Sequence, residues 1–330
     1  HLPWVPPVCP GALLRLVDLE AGEQGLCRTD ATAWFKRSPG GKLLERRAVV
    51  AVIGVVVGHA QLCSGPRGRF GHEGRRGEGD DAAGLKQVSE HVYFVEGVPG
   101  IATDNQGFIS NAGVIVTGAG VVVFDALGTP ALGQLLLDKI RKITKEPIVR
   151  VIVSHYHADH IYGLQVFEEL GAEIIAPYGA QKYIHSETAA SRLEERQFSL
   201  EPWVNEDTHL VLPDTTVEKS YTFEMGGLTF TINYMGKAHS DGDLTLLVEP
   251  DKVLFSGDII FEGRIPFVGN ADSKKWLETL TRLETEGLTA LVPGHGPASN
   301  NPKETISLTR RYLAHLRKVM GEGIEELTPI

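Results

Sequence analysis

The stretch VIVSHYHADH, residues 151–160, places three histidines and an aspartate within six positions directly after a β-branched apolar run. The run reads as a buried strand. The polar groups at its end cannot enter a core without partners. His155 and His157 are two apart at the strand end, so they point to the same side. Asp159 and His160 follow as the chain turns into a helix. Imidazole nitrogens and carboxylate oxygens at this density suit zinc or iron far better than calcium or magnesium. Four ligands on one short loop enclose an ion poorly, so others must come from elsewhere in the chain.

The remaining polar groups can be screened by context. His239 lies in GKAHSDGD, a glycine-rich turn between two strands. Asp258 follows an apolar run in LFSGDII, and His295 stands between glycines in LVPGHGP. Each is a ligand type at the mouth of a buried strand, with small neighbours leaving room. His91, His185, His209 and His315 lack that setting and read as surface or helix histidines. Singly, a histidine after a strand or an aspartate in SGD is an ordinary hydrogen-bonding or turn residue. The ordered set HxHxDH, His, GD, PGHG points to a metal site.

Strand patterns occur at HVYFVEG, GVIVTGAGVVVFDA, IVRVIVSH and AEIIAPY, then again at LTFTINYMG, DLTLLVEP, KVLFSGDII and LTALVPGHG. Helical spacing marks PALGQLLLDKIRKIT, IYGLQVFEELG ending at Gly171, the lid-like SRLEERQ, SKKWLETLTRLETEG and KETISLTRRYLAHLRKVMG. Strands arrive in two batches, each followed by helices. That order predicts an α/β protein with sheets inside and helices outside, a four-layer αββα sandwich of two similar halves.

Charge and cysteine content narrow the function. Residues 1–85 carry 11 Lys and Arg against 9 Asp and Glu, whereas residues 86–330 carry 21 against 33. The second part is therefore near -12, which argues against nucleic acid as a partner. Cys9, Cys27 and Cys63 all precede residue 85, so the rest has neither disulfides nor thiolate ligands. By composition, residues 1–85 are expected to form an irregular, largely disordered N-terminal segment. Within it, residues 45–63 place two arginines before a short apolar run, like a signal peptide, too short for a stable membrane span. Residues 65–84, with seven glycines, read as a disordered linker. The catalytic domain is expected over 86–330, and the protein in the periplasm or secreted, with the cytoplasm as the alternative.

The set SHYHADH, AHSDGD, SGD, PGHG resembles the metallo-β-lactamase superfamily over about residues 88–325. The resemblance implies the αββα fold and two metal ions. One would take His155, His157 and His239. The other would take Asp159, His160 and His295, with Asp258 bridging both. It implies two Zn²⁺, with iron or manganese as alternatives, and a hydroxide between the ions. That hydroxide would attack an ester, thioester, lactone or β-lactam-type carbonyl of a small-molecule substrate, with Asp159 as the catalytic group that orients it and moves a proton. Aspartate at 258, where many zinc β-lactamases have cysteine or serine, favours the glyoxalase-II-like and lactonase-like branches. HADHIYGLQVFEELGA, GDIIFEGRIPFVGNADS and PGHGPASNNP look most similar to metallohydrolases found with bacterial sulfur-oxidation and quinoprotein systems. The competing readings are a mononuclear iron oxidoreductase like the persulfide dioxygenases and a metal-binding scaffold without catalysis. Tyr162, Trp203, Phe261, Arg264 and Phe267 are candidate pocket residues, for which core packing or a surface ion pair is the ordinary use.

Overall fold

A computed structural model describes residues 84–283 and 287–326. The expected signal-like stretch and all but the last residue of the expected linker lie outside the described residues.

The first sheet contains β1 (Lys86–Gln87), β2 (Val92–Val95), β3 (Ala112–Val116), β4 (Val121–Phe124), β5 (Ile148–Ile152), β6 (Glu173–Pro177) and β7 (Thr215–Val217), in that spatial order. It is antiparallel from β1 to β4 and parallel from β4 to β7. The second contains β8 (Tyr221–Met225), β9 (Leu228–Gly236), β10 (Asp243–Glu249), β11 (Val253–Phe261) and β12 (Ala290–His295), antiparallel except for the parallel pair β11–β12. Parallel neighbours need a crossover. In the first sheet α1 (Pro130–Ile143) supplies it between β4 and β5, and in the second α6 (Ser273–Leu283) does so between β11 and β12. The halves are alike in this unit and unequal elsewhere.

Period-two alternation assigns the faces. Val121 and Val123 of β4 join the cluster under α1, with Leu132, Leu136 and Ile140. Val122 and Phe124 point the other way, into the layer shared with Phe230, Leu246 and Phe255 of the second sheet. The outer face of the second sheet meets Trp276 and Leu280 of α6 and Ile306 and Leu313 of α7 (Pro302–Glu326). The expected αββα layering is therefore present. Thr129 caps α1 by accepting the Leu132 N–H at 3.1 Å, and Pro130 occupies the first turn, where no N–H is needed.

The elements differ from the sequence reading in three places. The segment 161–171 is not one helix. The chain forms α2 (Ala158–Ile161) and α3 (Leu164–Glu168), broken at Tyr162–Gly163. The Gly163 N–H goes to the Leu127 carbonyl at 3.2 Å, while the Asp159 carbonyl that would have received it accepts the Ser110 hydroxyl. The short strands β1, β7 and β8 carry too few buried residues to show a period. A short helix, α4 (Ala180–Ile184), precedes α5 (Glu187–Ser199), which covers SRLEERQ. No helix among the described residues is long and apolar enough to cross a membrane.

Between the two sheets Phe255 stacks on Phe124, centroids 5.4 Å apart, and lies against Gly113 of β3. A β-carbon at 113 would stand 2.2 Å from the Phe255 ring. Phe255→Ala is expected to cost about 3–5 kcal/mol and Gly113→Ala about 1–3 kcal/mol through overpacking. In the Phe255→Ala background the second substitution should cost far less, because the missing ring leaves the space. A double-mutant cycle by denaturant unfolding checks this, and strict additivity would contradict it.

Candidate metal centre

Strand ends deliver the polar groups to one edge of the sandwich. His155 and His157 follow β5, and Asp159 and His160 lie on α2. His239 sits on the turn between β9 and β10, Asp258 within β11, and His295 at the end of β12. Gly294 makes the last approach possible, since a β-carbon there would lie 2.0 Å from Asp258 Oδ1.

The seven residues form two adjoining groups. His155, His157, His239 and Asp258 bring one ligand atom each to within 4.8 Å of one another, and Asp159, His160 and His295 do the same. Asp258 spans both. Its Oδ2 lies 3.2 Å from His239 Nε2 and 3.3 Å from His295 Nε2, and its Oδ1 lies 3.2 Å from His160 Nε2. His160 Nε2 and Asp258 Oδ1 are buried without a hydrogen bond. A buried donor set with orphaned atoms fits a divalent metal, which would satisfy them. Asp159, 21% exposed, and His157, half-buried, are the members that reach solvent, so they mark the mouth.

Hydrogen bonds at the far nitrogens set the tautomers. His295 Nδ1 donates to the Ile109 carbonyl at 2.7 Å, and His239 Nδ1 to the Phe267 carbonyl at 3.1 Å. His160 Nδ1 donates to Asp125 Oδ2 at 2.8 Å. His155 Nδ1 donates to Ser154 Oγ at 2.9 Å, because the Ser154 hydroxyl proton goes to Asp125 at 2.8 Å. All four histidines therefore turn Nε2 inward, free to offer its lone pair once any proton there is lost. His157 presents Nδ1 instead, 2.9 Å from His155 Nε2 and 3.0 Å from His239 Nε2.

Three positioning residues lie outside the sequence-derived set. Asp125, buried at the end of β4, also accepts the Ser154 N–H at 2.7 Å. Its signal was an acid closing a fully buried strand in VVVFDA. Asn111 donates to the Pro293 and Gly296 carbonyls at 2.8 and 2.7 Å, and so holds the turn that carries His295. Asp243 accepts the Ala238 and Ser240 N–H groups at 3.2 and 2.9 Å and fixes the turn of His239. Burial pushes the Asp243 carboxyl up to about 7.

The other candidates separate. Arg264 donates to the Ile109 carbonyl at 2.9 Å, beside His295 Nδ1, and has no ion-pair partner among the described residues. Phe261 is buried and stacks on His295, centroids 5.2 Å apart. Phe267 is exposed beside His157. Tyr162 is a core residue, and Trp203 lies half-buried in the turn after α5. His91 pairs with Asp251 and His209 with Glu168, at 3.0 and 3.3 Å. Those two, His185 and His315 belong to neither ligand group.

The charges are unequal. Burial pushes His155 and His157 down, and carries His239 down to about 3. Burial opposes charge on His160 and His295 too, but Asp258 and Asp159 outweigh it. His160 lies well above its ordinary value, and His295 goes up to about 9. At pH 7 the metal-free site therefore holds protons on His160 and His295, which ligation must remove. Metal loading at pH 7 is expected to release about two protons per chain, read with an indicator dye in weak buffer. Affinity should fall as pH falls, because protons then compete for the same Nε2 atoms. Release near zero at pH 7 would contradict the charge assignment. Asp125→Asn places an amide donor or a weaker acceptor against Ser154 and His160, and should weaken metal binding about 10–100-fold, measured by competition with a chelating dye.

Comparison with known proteins agrees with this geometry. The family model described as the metallo-β-lactamase superfamily matches residues 105–295. The chain is 22% identical over 210 residues to metallo-β-lactamase IND-1 of Chryseobacterium indologenes, covering 62% of this chain and 77% of that protein. It is 25% identical over 212 residues to a type 2 metallo-β-lactamase of Elizabethkingia meningoseptica, with the same coverage of 62% and 77%. In structure it is similar to a metallo-β-lactamase from Pontibacter korlensis, with a TM-score of 0.54 and 21% identity over 70% of this chain and 98% of that one. With two facing sheets, a buried His/Asp cluster at their edge and a family match over residues 105–295, the chain belongs to the metallo-β-lactamase superfamily and is a metal-dependent hydrolase.

Proposed function

We propose that the protein is a dinuclear zinc hydrolase acting on a small-molecule ester, thioester or lactone carbonyl, of the glyoxalase-II-like, sulfur-oxidation-associated type. The observation that carries this reading is the span of Asp258, whose two oxygens face histidines of both groups at 3.2–3.3 Å. His155, His157 and His239 would hold one ion, Asp159, His160 and His295 the other, and Asp258 would face both. The all-nitrogen-and-oxygen donor set suits zinc, and no thiol is available in residues 86–330. When bound, two divalent ions supply an acidified water and a Lewis acid for the carbonyl oxygen.

The residues do the rest. Asp159 lies at the mouth, its Oδ2 3.3 Å from His295 Nε2, with its carboxyl held below the ordinary range by His160 and His295 against the opposing effect of burial. It is therefore an ionised hydrogen-bond acceptor at neutral pH, able to orient a water. Ser154, Asp125, and the Ile109 and Phe267 carbonyls keep the imidazoles aimed while charge changes in the site. Aspartate at 258 and the absence of cysteine from residues 86–330 favour thioesters and lactones over β-lactams, although the relatives above are β-lactamases by name. The domain is taken to begin near residue 85, and the signal-like stretch before it supports export to the periplasm or beyond.

Metal analysis of the purified full chain tests this reading. About two zinc ions per chain are expected, with hydrolysis of thioesters or lactones lost on chelation and regained with zinc. Asp159→Asn should lower kcat/KM on the order of 10²–10⁴-fold. One iron per chain with oxygen consumption would replace the hydrolase by the persulfide dioxygenase reading.

A further inference from the structure

The segment between β11 and α6 runs along both ligand groups. Arg264 lies 3.0 Å from His295 Nδ1 at one end, and Phe267 contacts His239 at the other. The main chain of Phe267 is fixed by that contact, since its carbonyl receives the His239 Nδ1–H. Its side chain has no such duty. The residue is 55% exposed, yet its ring stands with its centroid 5.8 Å from that of His157 and 6.3 Å from that of His239. It lies over Gly269, where a β-carbon would come within 2.4 Å of the ring tip. A glycine thus lets an aromatic ring fold down beside the most exposed of the five histidines. Ile265, 51% exposed, adds a second apolar side chain to the same loop. An exposed phenylalanine alone means little. An ordered one at the mouth of a polar site, apolar and without a hydrogen-bonding role, is a surface for something apolar.

We infer that Phe267 is a specificity-determining residue that receives an apolar acyl substituent next to the scissile carbonyl, so that the enzyme selects medium-chain or aromatic acyl groups over acetyl. The inference rests on the hydrolase reading for its chemistry, but the apolar contact can be measured without turnover. Two readouts are compared on wild type, Phe267→Ala and Phe267→Leu, each shown to hold the same metal content. One is the ratio of kcat/KM for p-nitrophenyl hexanoate over p-nitrophenyl acetate. The other is the ratio of calorimetric affinities for hexanoate over acetate. Wild type should prefer the six-carbon member in both. Phe267→Ala should reduce each preference about tenfold, within the range that one apolar contact supplies, and Phe267→Leu should restore most of it. A Phe267-dependent preference for hexanoate binding, in a protein that hydrolyses neither ester, would support the inference while removing the esterase chemistry. No preference in wild type, or preferences unchanged in Phe267→Ala, would overturn it.

Discussion

The site depends on which nitrogen of each imidazole keeps its proton. An imidazole can ligate through either nitrogen, and seven ionisable groups within one buried volume would otherwise rearrange to pair with each other. Here four Nδ1–H groups are given to fixed acceptors: the Ser154 hydroxyl, the Asp125 carboxylate and the carbonyls of Phe267 and Ile109. Those acceptors come from the ends of β5 and β4 and from loops after β11 and before β3. The aim of each ligand is therefore set by the position of a different strand. A sandwich that slipped by one residue would turn the lone pairs away from each other.

Asp125 joins the two halves of this arrangement. One carboxylate accepts the Ser154 N–H, the Ser154 hydroxyl and His160 Nδ1, and through Ser154 it also fixes His155. A histidine from each ligand group is thus oriented by the same side chain. Its backbone is left-handed, with φ 63°, a conformation that costs most residues but that aspartate tolerates better than most. The position needs both a carboxylate and a residue that accepts this turn, and few residue types meet both demands.

Much of this was legible in the sequence because the signals were local. Runs of Val, Ile and Phe mark β4 and β5, proline near its start marks α1, and glycines flank His295. The seven polar groups could be chosen without coordinates because each stands at the mouth of an apolar run. What escaped had non-local causes. The break at Gly163 arises because the Asp159 carbonyl and the Gly163 N–H find partners in Ser110 and Leu127, far away in sequence. The edge strands β7 and β8 bury too little to show a pattern. Asn111 reads as a loop residue until the turn carrying His295 is placed against it, 182 residues later. The carbonyls of Ile109 and Phe267 carry no residue-specific signal, since any amino acid offers one.

That last point separates stability of the site from choice of substrate. His239 and His295 are oriented by main-chain oxygens, which do not change when the side chains at 267 and 109 change. The loops around the mouth can therefore vary in side chain while the ligand geometry persists. Asp159 and His157 open to solvent, whereas His155, His160, His239, Asp258 and His295 are closed in by sheet and loop. Chemistry is held by the buried ring of acceptors, and selectivity falls to the few side chains at the opening. A fold organised this way can keep one hydrolytic centre and exchange the surface that a substrate meets.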